Sequence, residues 1–467
     1  MALPLPVIRG GAGTASPPGP GHGYESPTEE NYREYFATAP GTMTPVSQIH
    51  VHSRPALLTR PSYVAALPPD PHVLSASLAA LDDVVATAEK IPPNSKVSIK
   101  DRIKCYQWTY FTMTMATGGV ANVIYGLGYT SAWVNGFGLF FYLLNIVLFL
   151  NNCVCISVRF HLMRGSFIKS FTDQFECLFI PAFFVSIAII LTNTCQYGVE
   201  HSGFWLFKTL QVLFWFYVAS SVLASAGMYL ILWSTQVFPV HTMTPTWVFP
   251  AYPLLVIAPF AANLIAAAER SGNLWVLNKP AVAMCAVTLQ GTGCLIAFMI
   301  SAAFIYRLMT QKLPRDIQRP GVFISIGPYG FTAAGIVQLG QQANLIAPPG
   351  FLGSELTVDI LKVLSVLVGL WFWGLCIWFF LVSLGSLWKY VRTGSSIPFQ
   401  MTWWSFVFPN TALVTATQTM SKVFDSQGIH ICACVLTVVL VIVWVGVFIT
   451  MLHYLRTKKL LYPKQRK

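Results

Sequence analysis

The sequence is poor in charge. Asp, Glu, Lys and Arg together make up 10% of its 467 residues, against 55% hydrophobic and 14% aromatic residues. That balance lies well outside the usage of globular domains. Neither a phosphate-cradling loop ending in Gly-Lys-Ser/Thr nor a nucleophile elbow is present, which argues against ATP-driven pumping and against catalysis. No carboxylate stands in the middle of a long apolar run. Glu176, Glu200, Glu269, Glu355, Asp359 and Asp425 all fall at run ends or in loops, so no proton-relay acid or sodium site is visible. The ten cysteines form no metal-ligand or disulfide pattern. Cys153/Cys155 and Cys432/Cys434 are spaced C-x-C inside apolar runs, as small buried hydrophobes are. No metal or cofactor is expected. A secretory signal is not expected either, because residues 1–11 hold too short an apolar run, broken by prolines.

What the chain does have is many uncharged runs near twenty residues, with a mean hydropathy of +0.59. This predicts an all-α membrane protein. Ten spans are expected, at about 107–128, 136–158, 177–197, 204–232, 246–268, 280–308, 320–341, 357–388, 402–421 and 429–455. The net charge of +12 does not point to nucleic acid, because the basic residues cluster at run ends rather than in one patch. They set the orientation instead. Lys90, Lys96, Lys100, Arg102 and Lys104 precede the first span; Arg159, Arg164 and Lys169 follow the second. Arg307, Lys312, Arg315 and Arg319 follow the sixth, Lys389 and Arg392 the eighth, and six more lie beyond the tenth. Opposite loops hold little beyond Arg270 and Lys279. By the excess of Lys and Arg on the cytosolic side, both termini are inside. Residues 1–100 then form a cytosolic tail, rich in Pro, Gly, Ser and Thr and largely disordered. Leu74, Leu78, Leu81 and Val85 suggest a short amphipathic helix at 73–90 within it. Residues 101–456 form the transport domain, and 457–467 a basic cytosolic tail.

The odd-numbered spans resemble one another. FIPAFF places Pro181 in the third, WVFPAYP places Pro250 in the fifth, ISIGPYG places Pro328 in the seventh and FVFPN places Pro409 in the ninth. The first carries Gly118-Gly119 where the others carry proline. Each is a weak point in a helix, tolerated in a bilayer where protein or a water-filled cavity covers the freed backbone. Five helical hairpins are expected, with the kinked helices inside and the plain ones facing lipid.

A proline starts the half-helix that follows it, presenting free N–H groups and a positive dipole end at mid-membrane. Five such ends around one axis suit an anion, although freed carbonyl oxygens favour cations. The inner spans carry polar residues at helical spacing. On the ninth, Trp404, Phe408, Thr411, Thr415, Gln418 and Lys422 share one face. Thr112, Gly119 and Asn122 do so on the first, and Phe249, Tyr252, Val256, Asn263 and Arg270 on the fifth. The third brings Ser186, Thr192, Asn193 and Thr194, and the seventh Ser325, Thr332 and Gln338. Together they predict a narrow path of hydroxyls, amides and rings, with Arg270 and Lys422 at the outer mouth and Arg319 at the inner one. Basic residues at helix ends more commonly snorkel to the interface than bind ligands.

Three pieces carry a family resemblance: MATGGVANVI on the first span, QRPGVFISIGP leading into the seventh, and WWSFVFPN with the later SKVFDS on the ninth. Over roughly residues 100–462 the chain resembles the tellurite-resistance/dicarboxylate transporter family, related to slow anion channels, and within it the fungal malic acid transport proteins. The resemblance implies a plasma-membrane secondary transporter of C4-dicarboxylates, malate first, with a proton as candidate co-substrate. It further implies five hairpins in a pseudo-fivefold ring, assembly as a homotrimer, and a gate at Phe408, with Phe249 at the equivalent position of the fifth span. The stretch after the seventh span, QLGQQANLIAPPG, holds no arginine. An anion channel or sulfite exporter of the same fold is the alternative, while a receptor or scaffold leaves the inner-helix stripes unexplained.

Overall fold

Proline marks where the buried helices change pitch. In the computed structural model, which describes residues 97–463 apart from 129–130, 239 and 394–396, two buried helices open on a proline turn. Pro181 is the first residue of α3 (Pro181–Tyr197), after a 3-10 turn at Cys177–Phe179. Pro409 is the second residue of α9 (Phe408–Val423), after a 3-10 segment at Met401–Phe406. The missing N–H of proline costs nothing in a first helical turn, where no partner exists for it. Pro328 falls in the first turn of α7 (Ile326–Gln341), behind a 3-10 segment at Asp316–Ser325. The fifth span breaks twice. Pro250 lies inside a 3-10 segment (Pro245–Ala251), a single turn follows (Tyr252–Leu255), and Val256 separates that from α5 (Ile257–Arg270).

The first span corrects an expectation. Its 3-10 turn is Trp108–Tyr110, and α1 (Phe111–Gly126) runs unbroken through Gly118-Gly119. These glycines serve close approach rather than bending: a Cβ on Gly119 would stand 2.8 Å from Thr411 Cγ2 on α9. On α7, Gly330 admits the backbone of Ala412 in the same way. Small residues at helix contacts are the usual means of dense packing in a bilayer.

Five long helices alternate with the broken ones: α2 (Ala132–Leu162), α4 (Phe204–Thr235), α6 (Lys279–Gln311), α8 (Thr357–Ser386) and α10 (Gln427–Arg456). Among the described residues, eight helical segments are long and apolar enough to cross a membrane: these five and the stretches containing α3, α5 and α7. The remaining two, α1 and α9, have 16 residues each. Burial separates the two sets. The most apolar window is 89% buried for 245–270 and 316–341, but 22% for α2. The short helices pack in a circuit, α1 on α3, α3 on α5, α5 on α7, α7 on α9 and α9 on α1. Each long helix lies against the short helix before it and the next one in the circuit.

Breaking a helix frees backbone groups, and the long helices supply partners for many of them. Asn152 of α2 donates to Tyr110 O at 3.0 Å, and Tyr217 and Tyr229 of α4 donate to Pro253 O and Trp247 O. Gln290 of α6 accepts the Ala258 N–H just after the second break in the fifth span. Cys376 of α8 donates to Ile326 O. Outside the circuit, Ser98 and Asp101 form a capping box on the short helix Ile99–Lys104, where the Ser98 hydroxyl holds the Asp101 carboxyl below its ordinary range. The expected amphipathic helix at 73–90 lies outside the described residues.

Candidate functional site

The C-terminal ends of the broken helices enclose a cavity of about 710 Å3. Its walls carry Arg270 at the end of α5 and Lys422 at the end of α9, with Asn263, Gln338, Gln342 and Thr419 deeper in. The two cations expected at one mouth are thus brought together, but they differ in state. Arg270 is engaged: it pairs with Glu200 at 2.6 Å, donates to Cys195 O and lies over the Tyr125 ring. Lys422 has no ion-pair or hydrogen-bond partner among the described residues, so its charge is open to a mobile anion.

At the floor of this cavity, amides and hydroxyls tie the helices together. Asn122 of α1 donates to Thr415 Oγ1 of α9 at 3.2 Å and accepts from Gln196 of α3 at 2.7 Å. The same Gln196 Nε2 reaches Asn263 Oδ1 of α5 at 2.9 Å. Gln342, just past α7, donates to Ala262 O of α5 at 3.0 Å, and Gln338 of α7 to Thr419 Oγ1 of α9 at 3.1 Å. Sequence reasoning found Asn122, Asn263, Thr415 and Gln338 but missed Gln196, Gln342 and Thr419. The available signals were position: Gln196 lies one helical turn beyond Asn193, and Thr419 one turn beyond Thr415.

Further toward the N-terminal ends lies a layer of rings. Phe179 meets Phe249 at 4.9 Å between centroids, Phe249 stacks on Tyr252 at 5.2 Å, and Tyr252 meets Phe408 at 5.8 Å. Phe331 touches the Phe408 ring at 5.3 Å. Phe249 and Phe408, the two phenylalanines that precede a kink proline, thus belong to one buried layer joined through Tyr252, whose hydroxyl donates to Ile324 O. Ser325, next to that carbonyl, is buried with no hydrogen-bond partner for its hydroxyl among the described residues.

At the N-terminal ends a smaller cavity of about 120 Å3 is lined by Gln174, Thr244, Thr246, Gln318, Gln400 and Thr402. Phe175, Leu178, Phe238, Trp247 and Ile317 complete a wall that is more apolar than polar and holds no charged side chain among the described residues. A neighbouring cavity of about 190 Å3 shares Phe175, Gln400 and Thr402 with it and reaches Lys459 and Pro463 near the chain end. Along the fifth span the order is Thr246, Phe249, Asn263, and along the ninth Thr402, Phe408, Thr419. The rings therefore lie between the two cavities in chain order.

Several expected path residues turn elsewhere. Thr332 accepts from Gln290 of the long helix α6. Gln418 donates to Val123 O and Thr437, between α1 and α10. Thr411 bonds Phe408 O and fills the space beside Gly119, and Thr112 bonds Thr109 O and Met401 O. Arg319 lines neither end cavity. Its guanidinium donates to Ser386 O at 2.8 Å and Pro314 O, and lies over the Tyr390 ring.

Buried broken helices inside a sheath of long apolar ones, with a polar cavity at one end of the core and a smaller, mixed one at the other, define a multi-pass membrane protein. The family model described as SLAC1, voltage-dependent anion channel, matches residues 105–452, and the chain belongs to that family of membrane anion transporters. It is 26% identical over 369 residues to a malic acid transport protein of Schizosaccharomyces pombe, covering 79% of this chain and 82% of that one. A putative malic acid transport protein of the same organism is 25% identical over 370 residues, covering 79% and 84%. A sulfite efflux pump, SSU1 of Arthroderma benhamiae, is 24% identical over 354 residues, covering 75% and 91%.

Proposed function

We propose that the chain is a plasma-membrane secondary transporter of C4-dicarboxylates, with malate as its main substrate. In this reading ten helices cross the membrane as five hairpins in a pseudo-fivefold ring, both termini are cytosolic, and the cavity holding Arg270 and Lys422 opens to the exterior. A homotrimer is the proposed assembly and a proton the proposed co-substrate. The observation that carries the reading is the unpaired Lys422 in the wall of a polar cavity large enough for a small organic anion. An ammonium beside an amide floor attracts a carboxylate without holding it in a closed cage. The likeness to malic acid transport proteins favours a dicarboxylate, and the likeness to a sulfite efflux pump makes sulfite the second reading.

The test is uptake of radiolabelled malate and of sulfite by the purified protein in liposomes. Saturable malate uptake is expected, with Lys422→Met raising the half-saturating concentration by about tenfold, as loss of a hydrogen bond to a charged group does. Sulfite flux without malate flux would establish the second reading instead. Resolvable single-channel currents would identify a pore rather than a carrier.

A further inference from the structure

The polar bonds at the floor of the outer cavity close on themselves. Taken in order they join α9 to α1 through Thr415 and Asn122, α1 to α3 through Asn122 and Gln196, and α3 to α5 through Gln196 and Asn263. They continue from α5 to α7 through Ala262 O and Gln342, and from α7 back to α9 through Gln338 and Thr419. Every short helix is tied to both its neighbours. Gln196, Thr415 and Thr419 are buried, the other side chains half-buried, and none carries charge. Thr415 lies seven residues beyond Phe408 on α9, about two helical turns or roughly 10 Å, so ring and aromatic layer are separate levels.

We propose that this amide ring is a second barrier in series with the aromatic layer, opened when an oxyanion takes over amide N–H donors that now bind neighbouring helices. Four donor groups are involved, those of Asn122, Gln196, Gln338 and Gln342. A primary amide carries two N–H groups and rotates about its last bond, so it changes partners without backbone movement. Its bond to a carboxylate is roughly twice as strong as its bond to another amide, which makes the exchange favourable once the anion has shed water. A carboxylate also bridges two donors with its two oxygens, a geometry that a halide lacks. The ring would thereby act as a specificity-determining element that admits oxyanions over halides. Only the identity of the preferred oxyanion rests on the dicarboxylate reading; the barrier itself applies to any anion.

The experiment starts from Phe408→Ala, which removes the inner barrier, and adds Gln196→Met or Gln338→Met. Each change keeps side-chain length, removes a donor and opens the ring on a different side. Chloride and malate flux per molecule are measured in liposomes. Chloride flux about tenfold above Phe408→Ala alone is expected in both, with a lower malate-to-chloride ratio. If both double variants reach normal abundance and match Phe408→Ala in both fluxes, the ring is no barrier. Raised chloride flux with no malate flux in any version would keep the barrier and remove the dicarboxylate reading. Should the double variants fold poorly, Thr411→Cys, one turn below the ring and outside it, gives a second measurement in the otherwise unchanged chain, with the parent chain as baseline. Labelling by an impermeant thiol reagent from outside should be slow alone and about tenfold faster in saturating malate, as for release of one hydrogen bond. Equal rates with and without malate, and with and without sulfite, would overturn the proposal, whereas acceleration by sulfite alone would keep the barrier and remove the dicarboxylate reading.

Discussion

Arg159 at the end of α2 and Glu176 ahead of α3 face each other with both carboxylate oxygens engaged, Nη2 to Oε2 at 2.9 Å, and neither side chain is more than 2% exposed. The Trp108 N–H donates to the same carboxylate at 3.1 Å. The pair therefore holds the start of the first span, the end of the second and the start of the third at one point. Removing one partner leaves a buried uncompensated charge, at a cost of about 3–5 kcal/mol. Glu176→Gln should lower the melting temperature of the purified protein and its abundance at the membrane. Arg159→Met with Glu176→Leu should recover much of the loss. A Glu176→Gln protein that melts like the parent would show that the pair does not anchor the fold.

Gly330 tests the dense contact of α7 with α9. A Cβ there would stand 2.7 Å from the backbone carbon of Ala412, and backbone cannot step aside as a flexible side chain can. Gly330→Ala should destabilise by about 1–3 kcal/mol, the usual cost of overpacking. Gly374→Ala on α8, where nothing lies within 4 Å of the added carbon, should be neutral or slightly stabilising. Thermal unfolding of both variants in the same detergent decides it. Equal effects would mean that helix approach is not limiting.

Phe408→Ala should speed anion flux and make it less selective, because the ring is joined to Tyr252 and Phe331 at the level between the two cavities. A hydrophobic constriction closes an aqueous path by volume and by dewetting. Flux per molecule and surface abundance are measured together. A Phe held only by packing would instead cost about 3–5 kcal/mol when truncated, giving low abundance with parental flux per molecule.

Transport should follow the ionisation of the substrate. No carboxylate stands in the middle of a span, so malate and a dicarboxylate of clearly different second pKa should show pH optima displaced accordingly. Identical profiles would reveal a titrating protein group instead.

The order of the helices and the alternation of buried with exposed ones were legible in the sequence, because prolines at matching places and uncharged runs mark both. The amide ring was legible in part. Asn122, Thr415 and Asn263 are among the few polar residues in apolar surroundings, but Gln196 needed a partner on another helix to acquire meaning. A stripe on one helix says which residues share a face, not which neighbour that face meets. The short helices are buried nearly all round, so Gln418 and Thr332 could serve contacts with long helices while Thr415 joined the ring. Glycine was ambiguous for a related reason: the same residue permits a bend or a close contact, and at Gly119 only the position of Thr411 distinguishes them. Arg159 read as one of the loop cations because its partner Glu176 is 17 residues away.

The hydroxyls, amides and thiol that the long helices lend to the broken ones also make membrane thickness a variable of the machine. The long helices have 30 to 33 residues, about 45–50 Å along their axes, whereas the hydrocarbon of a bilayer is about 30 Å thick. They must tilt or project, and the angle changes with the lipid around them. Asn152, Tyr217, Tyr229, Gln290 and Cys376 couple that angle to the points where the inner helices change pitch. A thinner membrane would therefore strain the breaks themselves, and lipids of graded chain length become a means of adjusting the core from outside without touching a single path residue.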